Sequence, residues 1–90
     1  MNKTVKHEEI CNKLNEIYKK KNADYGDSFS KARKEISTYT LCKLYDKYER
    51  FKQLTITGKN EVKDETIEDT LYDLANYAIL ELIEREIDEI

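Results

Sequence analysis

Apolar side chains recur at helical spacing along three long stretches of the chain, and the only two glycines fall between those stretches. The first stretch follows the helical repeat of about 3.6 residues, and it predicts a helix over about residues 4–22 with Thr4 as its N-cap. Turn-forming residues surround Gly26, and residues 29–36 are predicted to form a short helix after that turn. The first part of the chain therefore predicts a long helix, a turn and a short helix.

The third predicted helix covers about residues 38–56, with Ser37 or Thr38 as its cap. Its apolar side chains share one side of the helix: Leu41, Leu44, Tyr45, Tyr48, Phe51 and Thr55. This spacing predicts that the shared side forms the core. Residues 57–60, around the second glycine, form the next break.

The last predicted helix is apolar on two sides. Thr66 and Asp69 have the form of a capping box, so the helix begins there and runs to the C-terminus. The first side carries Ile67, Leu71, Leu74, Ala75, Ala78 and Leu82, and the second carries Leu80, Ile83 and Ile87. Because three or four helices can cover only one of these sides, we expect the last helix to pack against a copy of itself. The alternative is that the first helix covers the second side within one chain.

Composition narrows the class of protein. Ninety residues fit one all-helical domain, and a bundle this small has a thin margin of stability, which favours completion by homo-oligomerisation. Charged residues make up 39% of the chain with both signs interspersed, so duplex nucleic acid is not an expected partner. The sequence has no signal peptide and no transmembrane stretch, so we expect a cytoplasmic protein without membrane contact. Cys11 and Cys42 match no zinc pattern and are expected to be reduced thiols in or near the core.

Four carboxylates are the candidate chemical groups. Asp69 and Asp73 lie one turn apart at the polar end of the second side of the last helix, and Asp46 and Glu49 lie one turn apart on the third helix. If the two helices bring them together, such oxygen ligands suit Mg²⁺, which polarises a phosphoryl oxygen and activates water. The alternative is that both acidic pairs belong to solvated helix faces.

Basic and aromatic side chains near these acids are candidates for contacts with a nucleotide. Lys21, Lys47 and Arg50 are predicted to contact phosphates. The rings of Tyr25 and Tyr77 are predicted to stack on a base, although a tyrosine in a helix such as Tyr77 is more often a core residue.

Three blocks of sequence carry a family resemblance: KNADYGDSF at 21–29, DKYER at 46–50 and ETIEDTLYDLANYA at 65–78. In this order they resemble the nucleotide modification associated domain family of phages and bacteria, and the likeness extends over about residues 10–82. That family in turn looks like a relative of the MazG-like all-α nucleoside triphosphate pyrophosphatases. The resemblance implies a dimeric or tetrameric helical bundle around magnesium, in which water attacks a nucleotide and pyrophosphate is released.

The resemblance also implies roles for individual residues. Asp46 and Glu49 match the first acidic pair of the MazG-like group, and Asp73 matches the last acid of the second pair. Thr70 stands where the other acid is expected, so Asp69 would take its place. The implied catalytic and metal-binding set is therefore Asp46, Glu49, Asp69 and Asp73. The implied substrate-binding set is Lys21, Asp24, Tyr25, Lys47, Arg50, Asn76 and Tyr77.

Three functions remain in competition. The first is a protein that binds a (deoxy)nucleoside phosphate with magnesium and, as an enzyme, hydrolyses it as a nucleoside triphosphate pyrophosphohydrolase. The second is a non-catalytic module that sequesters a nucleotide, as a phage protein countering host nucleotide signalling would. The third is a helical protein–protein interaction module whose acidic faces are only solvated. Because Thr70 stands where an acid is expected, the sequence does not decide whether the protein hydrolyses its nucleotide.

Overall fold

The computed structural model describes residues 1–58 and 66–89, with the side chain of Tyr25 outside the described part. Within these ranges the chain forms four helices and no strand, which confirms the all-α class. The helices are α1 (Lys3–Tyr25), α2 (Ser28–Glu35), α3 (Tyr39–Thr57) and α4 (Ile67–Asp88). No helix in these ranges is both long enough and apolar enough to cross a bilayer.

Helix α1 is longer at both ends than its apolar spacing predicts. The side chain of Asn2, and not Thr4, is the N-cap, because Asn2 Oδ1 accepts the backbone N–H groups of Thr4 at 3.0 Å and Val5 at 3.3 Å. The helix continues through the predicted turn as far as Gly26, whose φ of 63° is rarely adopted by other residues. The backbone conformation that only glycine adopts readily therefore sets the end of α1.

Local sequence signals correctly predict where α3 ends and where α4 begins. Helix α3 ends at Gly58, which is left-handed with a φ of 65° and donates its N–H to the Leu54 carbonyl. The predicted capping box of α4 is confirmed. The Asp69 N–H donates to Thr66 Oγ1 at 3.1 Å, and the Thr66 N–H donates to Asp69 Oδ2 at 3.2 Å.

Helices α3 and α4 form an antiparallel pair, and the other two helices pack onto it. Lys47 in the middle of α3 meets Asp73 of α4 at 3.1 Å, while Thr40 near the start of α3 lines one cavity with Glu81 further along α4. Helix α1 lies on α4, where Asn76 Nδ2 donates to the Leu14 carbonyl at 3.3 Å.

Arg33 fixes α2 to the C-terminal half of α4. Its Nε and Nη2 donate to the two carboxylate oxygens of Glu81, each at 3.0 Å, and its Nη1 donates to Asp88 Oδ2 at 3.1 Å. Such a two-pronged arrangement strengthens the ion pair because the planar guanidinium matches the carboxylate. Hydrogen bonds from Arg33 are the main cause that lowers the pKa of Glu81 to about 2.

The predicted core side of α3 is only partly covered, because Leu44 and Phe51 are half-buried while the other four residues are exposed. Leu41, Tyr45 and Tyr48 are all at least half exposed, and Thr55 is exposed as well. Helix α3 packs against α4 through a different side. The ion pair between Lys47 and Asp73 marks that contact. Apolar spacing alone does not identify which side of a helix the rest of the chain covers.

Both predicted apolar sides of α4 are partly uncovered. Leu71 and Leu82 of the first side are exposed, as are Ile83 and Ile87 of the second. Among the described residues only two apolar side chains, Leu14 and Leu54, are buried. Cys11 and Cys42 are free thiols, as predicted, but both are exposed, so their expected place in or near the core is wrong.

Candidate functional site

A cavity of about 310 Å³ lies where the C-terminal end of α1, the start of α2 and the middle of α4 meet. We refer to it as the α1–α2–α4 cavity. Its lining residues are Tyr18, Lys21, Asn22, Gly26, Asp27, Ser28, Phe29, Tyr39, Asp73, Asn76, Tyr77 and Leu80. The volume falls at the lower end of the range of small-molecule sites, about 300–1,000 Å³.

Aromatic rings form one wall of the cavity. The rings of Phe29 and Tyr39 meet edge to face with centroids 5.6 Å apart, and the rings of Phe29 and Tyr77 are tilted with centroids 6.1 Å apart. Three different helices contribute these three rings, so the wall exists only in the folded chain. Flat apolar surfaces of this kind are suited to packing against a base or another planar ring.

Asp73, another lining residue, carries two ion pairs. Its Oδ1 accepts from Lys21 Nζ at 3.0 Å, and its Oδ2 accepts from Lys47 Nζ at 3.1 Å. Lys47 and Asp73 are largely buried against each other, whereas the Lys21 side chain is 59% exposed. Two positive charges therefore contact one negative charge, and Lys21, which lines the cavity, is the more exposed of the two lysines.

The start of α2 gives the cavity a second group suited to anions. Gly26, Asp27, Ser28 and Phe29 all line the cavity, and the Asp27 side chain makes no capping hydrogen bond with α2. The first backbone N–H groups of any helix lack partners within the helix, and they favour negatively charged ligands. The Asp27 carboxylate lies in the same cavity and opposes an anion there, so Lys21 is the better place for a phosphate.

The four predicted metal ligands are not brought together in a single chain. The described residues contain no cluster of three or more Asp, Glu, His or Cys side chains that could hold a metal ion. Asp73 is occupied by two lysines, Asp46 is exposed and Glu49 is half-buried on α3.

Asp69 already has a structural role in the cap of α4. The Thr66 backbone N–H, followed by the Thr66 hydroxyl, holds the pKa of Asp69 below its usual value. Magnesium binding and magnesium-assisted hydrolysis stay predictions.

The predicted substrate-binding residues divide into two groups. Lys21, Asn76 and Tyr77 line the cavity, and Lys47 adjoins it through Asp73. Asp24 is exposed on α1 and Arg50 is half-buried on α3, and neither lines the cavity. The side chain of Tyr25, predicted to stack on a base, lies outside the described part.

Sequence reasoning missed several lining residues, of which Tyr18, Phe29 and Tyr39 matter most for the aromatic wall and its surroundings. Helical spacing alone does not distinguish an aromatic residue that lines a cavity from one that fills a core. Phe29 and the three residues before it lie within the first resemblance block, and that block was the available signal.

Comparison with known proteins gives one match. A family model described as nucleotide modification associated domain 1 matches residues 21–84. The matched range contains α2, α3 and most of α4. It also contains all of the cavity's lining residues except Tyr18. No curated protein and no solved structure matches the chain.

Proposed function

The chain belongs to the nucleotide modification associated domain 1 family, and from this membership and the α1–α2–α4 cavity we propose that it binds a nucleotide. The ligand is a nucleoside phosphate whose base packs against the aromatic wall and whose phosphate contacts Lys21. The observation that carries the proposal is the composition of the cavity. An exposed lysine and the start of a helix lie in the same small cavity as four aromatic side chains.

The aromatic wall supports recognition of a base. Stacking of a base on an aromatic side chain contributes about 1–3 kcal/mol, and it tolerates different bases because each has a flat face. The side-chain amides of Asn22 and Asn76 also line the cavity and offer donors and acceptors for a base edge. Asn76 Nδ2 already donates a hydrogen bond to the Leu14 carbonyl. The side-chain oxygen of Asn76 is therefore the atom that would accept a hydrogen bond from a ligand.

The lysine pair supports recognition of a phosphate. Lys47 neutralises Asp73 from the α3 side, and this leaves the charge of Lys21 for a ligand. Because the Lys21 side chain is mostly exposed, it exchanges Asp73 for a phosphate oxygen without opening the core. The proposal requires no metal.

Isothermal titration calorimetry tests the proposal with nucleoside mono-, di- and triphosphates, each in EDTA and in magnesium. We expect binding in EDTA, and we expect Lys21→Ala to weaken it by about 10-fold, since a charge-assisted hydrogen bond contributes about 1.5 kcal/mol or more. Lys20→Ala is the matched control, because the neighbouring lysine is exposed and does not line the cavity. It should change binding by less than about twofold.

The aromatic half of the site has its own matched pair of variants. Phe29→Leu should weaken nucleotide binding by about fivefold or more through lost stacking. Phe51→Leu, at a half-buried ring on α3 outside the cavity, should leave it unchanged. An absence of heat with every nucleotide would overturn the proposal and favour the interaction module. Pyrophosphate released in the magnesium samples would support the enzymatic prediction.

A further inference from the structure

The charges that line the α1–α2–α4 cavity bear on the number of phosphates that its ligand carries. Among the described residues, Lys21 is the only basic side chain of the lining, and Asp27 and Asp73 are the acidic ones. Lys47 of α3 offsets Asp73 through its ion pair at 3.1 Å. The positive charge of Lys21 and the negative charge of Asp27 therefore remain to act on a ligand.

Asp27 is the lining carboxylate without a partner. Its side chain does not cap α2, and among the described residues it has no hydrogen-bonded or ionic partner. It lies directly before Ser28, the first residue of α2, and two residues before Phe29 of the aromatic wall. A negative charge that no lysine offsets thus lies in the same cavity as the rings that are proposed to hold the base.

The lysines next to the cavity are already engaged. Lys43 lies outside the lining, and its Nζ is over the Tyr39 ring at 5.5 Å from the centroid. Lys47 Nζ contacts Asp73. Sites that hold the phosphates of a nucleoside triphosphate combine lysine or arginine side chains with metal ions around the phosphate chain. A cavity that offers one lysine matches a ligand with one phosphate.

The size of the cavity keeps its charges close to any ligand. A sphere of 310 Å³ is only about 8 Å across, which is less than the screening length of about 10 Å at 0.1 M salt. A further phosphate beside the one held by Lys21 is therefore repelled by Asp27. The volume also lies at the lower end of the range for small-molecule sites, which favours the smaller nucleotides.

We propose that the cavity selects nucleoside monophosphates over di- and triphosphates and that Asp27 is the residue that determines this selectivity. The inference rests on the proposed nucleotide binding and specifies its ligand. The single phosphate contacts Lys21, and each further phosphate adds negative charge that no lining residue offsets.

The expected selectivity follows from Coulomb's law. At about 8 Å, with an effective dielectric constant of about 40–80, repulsion of one added charge weakens binding about 2- to 6-fold. A triphosphate carries two added phosphates, so we expect it to bind about 5-fold or more weakly than the monophosphate of the same base.

Isothermal titration calorimetry in EDTA tests the selectivity with AMP, GMP, CMP and UMP and with the four matching triphosphates. Asp27→Asn should reduce the ratio of the two dissociation constants to under about twofold, mainly by tightening triphosphate binding. Asparagine is as favourable an N-cap as aspartate, so the start of α2 should persist. Glu35→Gln is the matched control, because it removes one negative charge from an exposed position at the other end of α2 and should keep the ratio.

A second measurement needs no variant. Raising the salt concentration from 0.1 M to 1 M shortens the screening length from about 10 Å to about 3 Å, so the ratio for the wild type should become smaller. A ratio independent of salt would overturn the electrostatic basis of the selectivity.

The outcomes separate this inference from the proposed function. If no nucleotide binds, the proposed function fails and the inference fails with it. If nucleotides bind but triphosphates bind as tightly as monophosphates in EDTA, or more tightly, only the selectivity is overturned. An unchanged ratio in Asp27→Asn, or an equal change in Glu35→Gln, would overturn the role of Asp27.

Discussion

Replacing Asp73 by asparagine removes one negative charge from the cavity while it keeps the size and shape of the side chain. In the wild type this carboxylate holds Lys21 at 3.0 Å and Lys47 at 3.1 Å. If the cavity binds a phosphate through Lys21, the carboxylate competes with the ligand for this lysine and repels the ligand. We therefore expect Asp73→Asn to bind nucleotides more tightly than the wild type in the absence of metal.

The size of the effect follows from the geometry. A phosphate oxygen that accepts a hydrogen bond from Lys21 Nζ would lie about 6 Å from the Asp73 carboxylate. With an effective dielectric constant of about 40–80 near the surface, two unit charges at that distance repel by about 0.7–1.4 kcal/mol. Asp73→Asn should therefore lower the dissociation constant about 3- to 10-fold. The cost to folding should be about 1–3 kcal/mol, because the largely buried Lys47 loses its carboxylate partner.

Calorimetry at low ionic strength measures this change, with EDTA present to remove divalent cations. Asp46→Asn is the matched control, because it removes the same charge from an exposed position outside the cavity and should leave metal-free binding unchanged. The magnesium hypothesis predicts the opposite sign, since both substitutions would then weaken binding in magnesium. Weaker or unchanged metal-free binding by Asp73→Asn would refute the electrostatic reasoning.

Three further predictions concern stability, each measured by urea unfolding. Because Arg33 lowers the pKa of Glu81 from 4.5 to about 2, the pair stabilises the fold above pH 4.5, and this contribution should be lost as pH falls towards about 2. Glu81→Gln should reduce that acid dependence, and an unchanged dependence would contradict the assignment. Leu14→Ala, at a buried leucine, should cost about 2–4 kcal/mol, whereas Ile10→Ala at an exposed position of the same helix should cost under about 1 kcal/mol. Equal costs would mean that α1 is not packed on α4. Gly58→Ala should lower the free energy of unfolding by about 1–2 kcal/mol, because alanine is strained in the left-handed conformation of this residue. An added Cβ meets no atom within 4 Å, so no steric clash contributes. A neutral effect would contradict this prediction.

The sequence predicts the helix ends well wherever a local group determines them. Thr66 and Asp69 form the capping box that their spacing predicts, and Gly58 ends α3 close to the predicted break. The predicted end of α1, at about residue 22, is wrong because no local group determines it. Residues 22–25 have a turn-like composition, but nothing in them prevents a helix, and the chain continues to Gly26. Composition is a weaker signal than a residue that enforces a backbone conformation.

The candidate site was predictable only in part because its contacts join distant parts of the chain. Asp73 was singled out by its place on α4, but its partners Lys21 and Lys47 come from two other helices. No spacing rule relates residues so far apart in sequence. Asp69 presents a different difficulty, because its position fits both a capping box and a metal-ligand pattern. The cap has an immediate local partner in Thr66, whereas the metal-ligand pattern needs groups from another helix.

The two apolar sides of α4 can now be related to two different surfaces. The side that becomes polar at Asp73 and Asn76 faces α1, so the first helix covers its polar half and leaves Ile83 and Ile87 exposed. The side that carries Leu71 and Leu82 is a different one, and it stays open to the self-association that the apolar pattern of α4 predicts. Because these surfaces lie on different sides of α4, nucleotide binding and association do not compete for the same atoms. A substitution of Leu71 or Leu82 should therefore leave nucleotide binding intact, since neither residue lines the cavity.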